Sequence, residues 1–97
     1  MKVRYRNNKI RKVCTDANTA RKEYGENMDR TIQRIDELTA IDTVEMMIMY
    51  HIGRCHPLNG NREGQYALDL VHPYRLVFTQ KGHEIQIAEV QEIVDYH

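Results

Sequence analysis

The sequence predicts an α+β fold, with an N-terminal strand and helices packed on one face of a small antiparallel sheet. Three observations carry that prediction. Apolar residues recur at helical spacing from Ile10 to Met49. After Gly64 the pattern changes to alternation, the signature of half-buried strands. The alternating stretches are joined by short turns, which make antiparallel neighbours. Helices segregated from consecutive strands must cover one face of the sheet those strands form.

The elements follow in order. Residues 2–6 read as an edge strand, with Val3 and Tyr5 on one face. Ile10, Val13, Cys14, Ala17, Ala20 and Tyr24 then fall at helical spacing. Thr15-Asp16 is a cap signal within that stretch, which leaves open whether it is one helix or two. Gly25 is a natural C-terminal stop. Met28, Ile32, Ile35 and Leu38 form a second stripe with Asn27 as N-cap. Asp42, with Glu45 three residues later, resembles a capping box for a further helix through Met49. Met46, Met47 and Met49 are expected to fill the core. Residues 52–64 lack periodicity and are punctuated by Gly53, Pro57, Gly60 and Gly64, which is a loop pattern. Strands are expected over 65–71, 74–79 and 84–96, with turns at His72-Pro73 and at Gln80-Lys81-Gly82. The phase of the last strand slips near Val90, which signals a bulge.

A chain of 97 residues with 41% apolar content supports one domain, 1–97, with one core. The longest aliphatic run, Met46 to Met49, is far too short to span a membrane. The N-terminus, Met1-Lys2-Val3-Arg4, alternates charge and apolarity and lacks a signal peptide's apolar run. A cytoplasmic protein is therefore expected. In that compartment the two cysteines, Cys14 and Cys55, are read as buried thiols rather than a disulfide. Net charge is zero but polarised. Residues 1–35 hold ten Lys/Arg against four Asp/Glu, and residues 36–97 hold four against ten. Such asymmetry suits a nucleic-acid face and equally a solvated, basic helical surface.

Residues able to carry chemistry gather in the second half. The loop offers Arg54, His56, Asn59, Asn61 and Arg62. The strands offer Asp69, His72 and Arg75, and the last three residues are Asp95, Tyr96 and His97. There is no phosphate-binding glycine loop, and the absence of any serine excludes a serine nucleophile. Cys55-His56 with the scattered His51, His72 and His97 lacks the paired spacing of a zinc site. No cofactor is implied. Histidine, tyrosine and arginine are the side chains that cut RNA without a metal. A base takes the proton of a ribose 2′-hydroxyl, an acid protonates the departing 5′-oxygen, and a cation neutralises the phosphate.

Three segments carry a resemblance to a known family. Arg54-Cys-His-Pro-Leu-Asn-Gly-Asn-Arg-Glu-Gly-Gln-Tyr66 resembles the loop-to-strand segment of HigB-type toxins in the RelE/ParE superfamily. Tyr74-Arg-Leu-Val-Phe78 resembles the superfamily's central strand, and Asp95-Tyr96-His97 resembles the HigB ending. The resemblance implies a toxin of a type II toxin–antitoxin system that cleaves mRNA on the ribosome and is neutralised by a helix-turn-helix, HigA-like antitoxin. Carried over by residue, it implies catalytic roles for His56, Arg62, Arg75, Asp95, Tyr96 and His97. His56 and His97 share the acid and base work, Arg75 and Arg62 hold phosphate, Tyr96 stacks on or orients a base, and Asp95 orients His97. Arg54, Asn59 and Asn61 are expected to contact RNA. With His97 as the last residue, its carboxylate and Asp95 are expected to favour the imidazolium of a general acid. The sequence departs from the family at Asn59, where a lysine is usual, which leaves Arg62 to supply that charge. A ParE-like toxin that binds a gyrase-like target without chemistry is the alternative, as is a catalytically weak regulatory partner.

Overall fold

The computed structural model describes residues 1–96. The chain begins with β1 (Lys2–Tyr5), and then four helices follow: α1 (Asn8–Thr15), α2 (Ala17–Tyr24), α3 (Arg30–Ala40) and α4 (Val44–Met49). A short 3-10 turn, Glu26–Asp29, separates α2 from α3. The strands are β2 (His56–Pro57), β3 (Gln65–Asp69), β4 (Tyr74–Lys81) and β5 (Ile87–Asp95), ordered β1-β5-β4-β3-β2 in one sheet.

The caps decide where each helix begins. Asn7 is extended and its side chain accepts from Ile10 N at 2.9 Å, which satisfies a first-turn donor of α1. Asp16 breaks the helical path with extended backbone and caps α2, accepting from Thr19 N and Oγ1. The stretch 8–24 is therefore two helices. Asn27 is not a cap, because it lies inside the 3-10 turn and α3 starts at Arg30. Thr43, rather than Asp42, caps α4 by accepting from Met46 N at 3.2 Å. Two adjacent cap-forming residues look alike in sequence, and only the backbone decides between them.

The helices lie on one face of the sheet. Cys14, Ile35, Leu38, Val44 and Met47 pack with Leu68, Leu76, Phe78, Ala88 and Val90. A second cluster joins Val13, Ala20 and Met28 to Tyr24, Tyr74 and Ile93. Each fully buried large side chain contributes roughly 1.5–3 kcal/mol of transfer free energy. Met47 is buried, but Met49 is 61% exposed because α4 ends there and the chain leaves the core.

The sheet is mixed rather than wholly antiparallel, since β1 runs parallel to β5 with Lys2 opposite Ile87 and Tyr5 opposite Val90. Alternation reports which face a side chain takes, but neither its neighbour nor the strand direction. The helical layer carries the chain from β1 to β2 at the opposite edge of the sheet, and the antiparallel run β2-β3-β4-β5 then brings it back beside its first strand. Strand limits also shift: β4 runs on through Lys81, β3 stops at Asp69, and β5 starts at Ile87. The bulge falls at Gln91, between the pairs Phe78–Val90 and Val77–Glu92. It lets Val90 and Ile93, three residues apart, both reach the helical layer. Among the described residues no helix is long and apolar enough to cross a membrane.

Candidate active site

The strand registers fix which side chains share the helix-free face. Opposite residues in a sheet point the same way. Asp69, Arg75 and Val94 form one row across β3, β4 and β5. The next row is His56, Ala67, Val77 and Glu92, from four strands. The expected dozen-residue loop thus contains a two-residue strand that brings His56 into the sheet. It also contains 3-10 turns at Ile52–Arg54 and Gly60–Arg62.

The turn before β2 aims Arg54 at this face. His51, Gly53 and Arg54 all have left-handed backbone, with φ of 56°, 58° and 53°. For His51 and Arg54 this costs on the order of 1–2 kcal/mol each. Gly53 has a second constraint. A Cβ there would lie 3.1 Å from Arg34 Nε and 3.2 Å from Leu68 Cδ2. The Arg34 side chain passes from α3 beneath the turn and donates to the Asp69 carbonyl at 2.7 Å. Its guanidinium is held by Glu37, also at 2.7 Å.

Asp69 sits between two arginines. Its Oδ2 lies 3.5 Å from Arg54 Nε, and its Oδ1 lies 3.3 Å from Arg75 Nε. The Arg75 guanidinium lies over the Tyr96 ring, 4.6 Å from its centre. Tyr96 N donates to the Pro73 carbonyl at 2.8 Å, tying the end of the described chain to the β3–β4 turn. Two depressions flank the arginine pair. One, of about 450 Å³, is lined by His51, Cys55 and His56 with Arg54 and Arg75. The other, of about 260 Å³, is lined by Asp69, His72, Tyr74 and Tyr96 with the same two arginines.

His56 Nδ1 lies 2.8 Å from the Arg54 carbonyl. A carbonyl only accepts, so Nδ1 carries a proton in this contact, which leaves Nε2 as the nitrogen that can exchange one. Cys55 lines the same depression but is no nucleophile, because burial pushes its thiol up to about 12.

Arg62 stands apart from both depressions. It donates to Glu92 Oε1 at 2.7 Å and to Gln65 Oε1 at 3.1 Å. That hydrogen bond and the charge of Glu92 raise its pKa. Asn59 and Asn61, in the turn preceding Arg62, are exposed and line neither depression. Asp95 is opposite Tyr74 in the β4–β5 register. His97 lies outside the described residues.

No family model matches the sequence, and no curated protein matches it. Among solved structures, the YoeB/ParE toxin from Agrobacterium tumefaciens is similar over 100% of both chains, with a TM-score of 0.65 and 16% identity. The fold is that of this YoeB/ParE toxin. At that identity the likeness is one of backbone architecture, and the chemistry rests on the side chains present here.

On this scaffold four of the sequence-predicted residues, Arg54, His56, Arg75 and Tyr96, line the two depressions. Asp69 joins them, as do His51 and His72 at opposite ends. The place of Asp69 had a readable signal. Asp69 and Arg75 are equidistant from His72, so a hairpin turning there sets them opposite each other. Glu92 had no such signal, because strict alternation through β5 would turn it the other way and only the bulge faces it to Arg62.

Proposed function

We propose that this chain is the toxin of a toxin–antitoxin pair and an endoribonuclease that cleaves mRNA on the ribosome. The observation that carries the reading is the orientation of His56. Its Nδ1 is held by a backbone carbonyl, its Nε2 is left as the basic nitrogen, and two arginines line the same depression. In the reaction, His56 Nε2 takes the proton of a ribose 2′-hydroxyl. The 2′-oxygen attacks phosphorus, and the P–O5′ bond breaks. Arg54 and Arg75 neutralise the charge growing on the phosphate oxygens. An acid returns a proton to the 5′-oxygen, leaving a 2′,3′-cyclic phosphate and a 5′-hydroxyl. His97 takes the acid's role, with Asp95 orienting it and Tyr96 stacking on a base. Arg62 with Asn59 and Asn61 contacts the RNA beside the depression.

The partner is a small antitoxin of the helix-turn-helix kind. The basic residues of the N-terminal half, Lys9, Arg11, Lys12 and Lys22 among them, are exposed and suit an acidic segment. A non-catalytic, ParE-like toxin is the second reading. It is favoured by the carboxylates seated on the arginines, Asp69 on Arg54 and Arg75 and Glu92 on Arg62. Inducing the chain in a bacterium and mapping mRNA 5′ ends separates the two. New ends inside translated codons, lost with His56→Ala, support the nuclease. Growth arrest with intact mRNA and inhibited DNA supercoiling supports the binder.

A further inference from the structure

Asp69 is an anion placed where an RNA phosphate would be expected to approach. Its two carboxylate oxygens face different arginines, Arg54 from the turn before β2 and Arg75 from β4. Its backbone carbonyl accepts from Arg34, whose side chain lies beneath the turn that carries Arg54, 3.1 Å from where a Cβ at Gly53 would stand. The Asp69 side chain is 27% exposed and that of Arg54 is 80% exposed, so neither pairing is a sealed ion pair. Exposed pairs of this kind contribute little to stability. Asp69 has two opposed effects on an incoming phosphate. Its charge competes with the phosphate for the guanidiniums. Its contacts hold those guanidiniums at one place, which removes motion that otherwise has to be frozen in the transition state.

From this geometry we infer that Asp69 is a positioning residue for the Arg54–Arg75 pair, one that weakens RNA binding while raising the rate of the chemical step. The inference rests on the proposed nuclease reading. Asp69→Asn keeps the size of the side chain and leaves the backbone bond to Arg34 intact, but removes the charge.

The test has two readouts on the full chain. The first is single-turnover cleavage of mRNA on programmed ribosomes, with affinity measured separately on an mRNA carrying a 2′-deoxy nucleotide at the cleaved position. Asp69→Asn is expected to bind about two- to five-fold more tightly and to cleave on the order of 10-fold more slowly at saturation. A saturating rate equal to the parent's overturns the inference, as does a loss confined to binding. The second readout is NMR of the arginine side-chain Nε–H groups. In the parent, those of Arg54 and Arg75 are expected to exchange slowly and to be dispersed. In Asp69→Asn they should collapse to the positions of solvated arginines, while Arg34 keeps its own. Unchanged Arg54 and Arg75 signals overturn the positioning role. If the parent itself cleaves no mRNA, the nuclease reading fails, and the Nε–H signals still decide whether Asp69 holds the pair.

Discussion

A single backbone contact gives His56 its chemical direction. The carbonyl of Arg54, two residues earlier, accepts from Nδ1, so the same turn that delivers an arginine also orients the proposed base. Replacing His56 with Ala is expected to slow mRNA cleavage at least ~100-fold while ribosome association survives, because the loss is in the proton transfer. His97→Ala is expected to cost a similar factor if it supplies the proton to the 5′-oxygen, and Lys2→Ala, on the opposite edge strand, little. Arg75→Lys keeps the charge but forfeits the planar fork, and its cleavage rate at saturation should fall toward that of Arg75→Ala. The thiols have no role in this chemistry. Burial pushes both Cys14 and Cys55 up to about 12, so neither should react with iodoacetamide at pH 8 until the chain is unfolded. Rapid alkylation of native Cys55 would show that its depression is wetter than the structure has it.

Between helix and sheet, Arg34 is the link that matters for the site. It bonds to Glu37 on its own helix and to the Asp69 carbonyl on β3, and it fills the space that a Cβ at Gly53 would enter. Gly53→Val introduces both a branched side chain at positive φ and a clash with Arg34. It is expected to reduce cleavage more than it reduces stability, which parallel melting and cleavage assays would reveal. A cap far from the site should do the reverse. Asn7→Ala removes the acceptor of Ile10 N and is expected to cost about 1 kcal/mol in denaturant unfolding with cleavage unchanged. The element scale is also where the sequence is most and least legible. The stripes Ile35–Leu38 and Leu76–Phe78 mark their buried faces because periodicity is a direct consequence of one-sided burial. The two-residue strand at His56–Pro57 is too short to show any period. Its pairing with Ala67 and Tyr66 is created by the sheet it joins. The parallel docking of β1 beside β5 leaves no trace in either segment.

At the scale of the whole molecule, the fold separates its charges and its tasks. The N-terminal half supplies the basic helices, and the C-terminal half supplies a sheet whose free face mixes arginines with carboxylates. The segment resemblance named Arg54, His56, Arg75 and Tyr96, which line the two depressions beside the arginine pair. Of the acidic members, Asp69 is placed opposite Arg75 by the turn at His72, whereas Glu92 is legible only once the bulge in β5 is known. The core binds the two halves together. Leu38→Ala, which empties a fully buried position under the sheet, is expected to cost roughly 2–5 kcal/mol. Alkaline pH should weaken the same packing. A thiol whose folded pKa is raised from 9.0 to about 12 stabilises the fold fully below pH 9. That contribution is lost as the pH rises from 9 toward 12, since the unfolded chain ionises first. Tyr5 and Tyr24, raised above 10.0 chiefly by burial, act in the same direction. The urea midpoint should therefore fall above about pH 9, less steeply in Cys14→Ala.

On the proposed reading, the helix-free face carries metal-independent attack by a ribose 2′-oxygen. The chemistry of the cut ends tests it most directly. mRNA cleaved on purified ribosomes by this chain is to be analysed for its terminal groups, beside a matched mRNA with a single 2′-deoxy nucleotide at the cleaved position. The expected products are a 5′-hydroxyl and a 2′,3′-cyclic phosphate (or the 3′-phosphate it hydrolyses to), with no cleavage of the deoxy-substituted message. A 5′-phosphate on the downstream fragment, or cutting of the deoxy-substituted message at the same site, would contradict it.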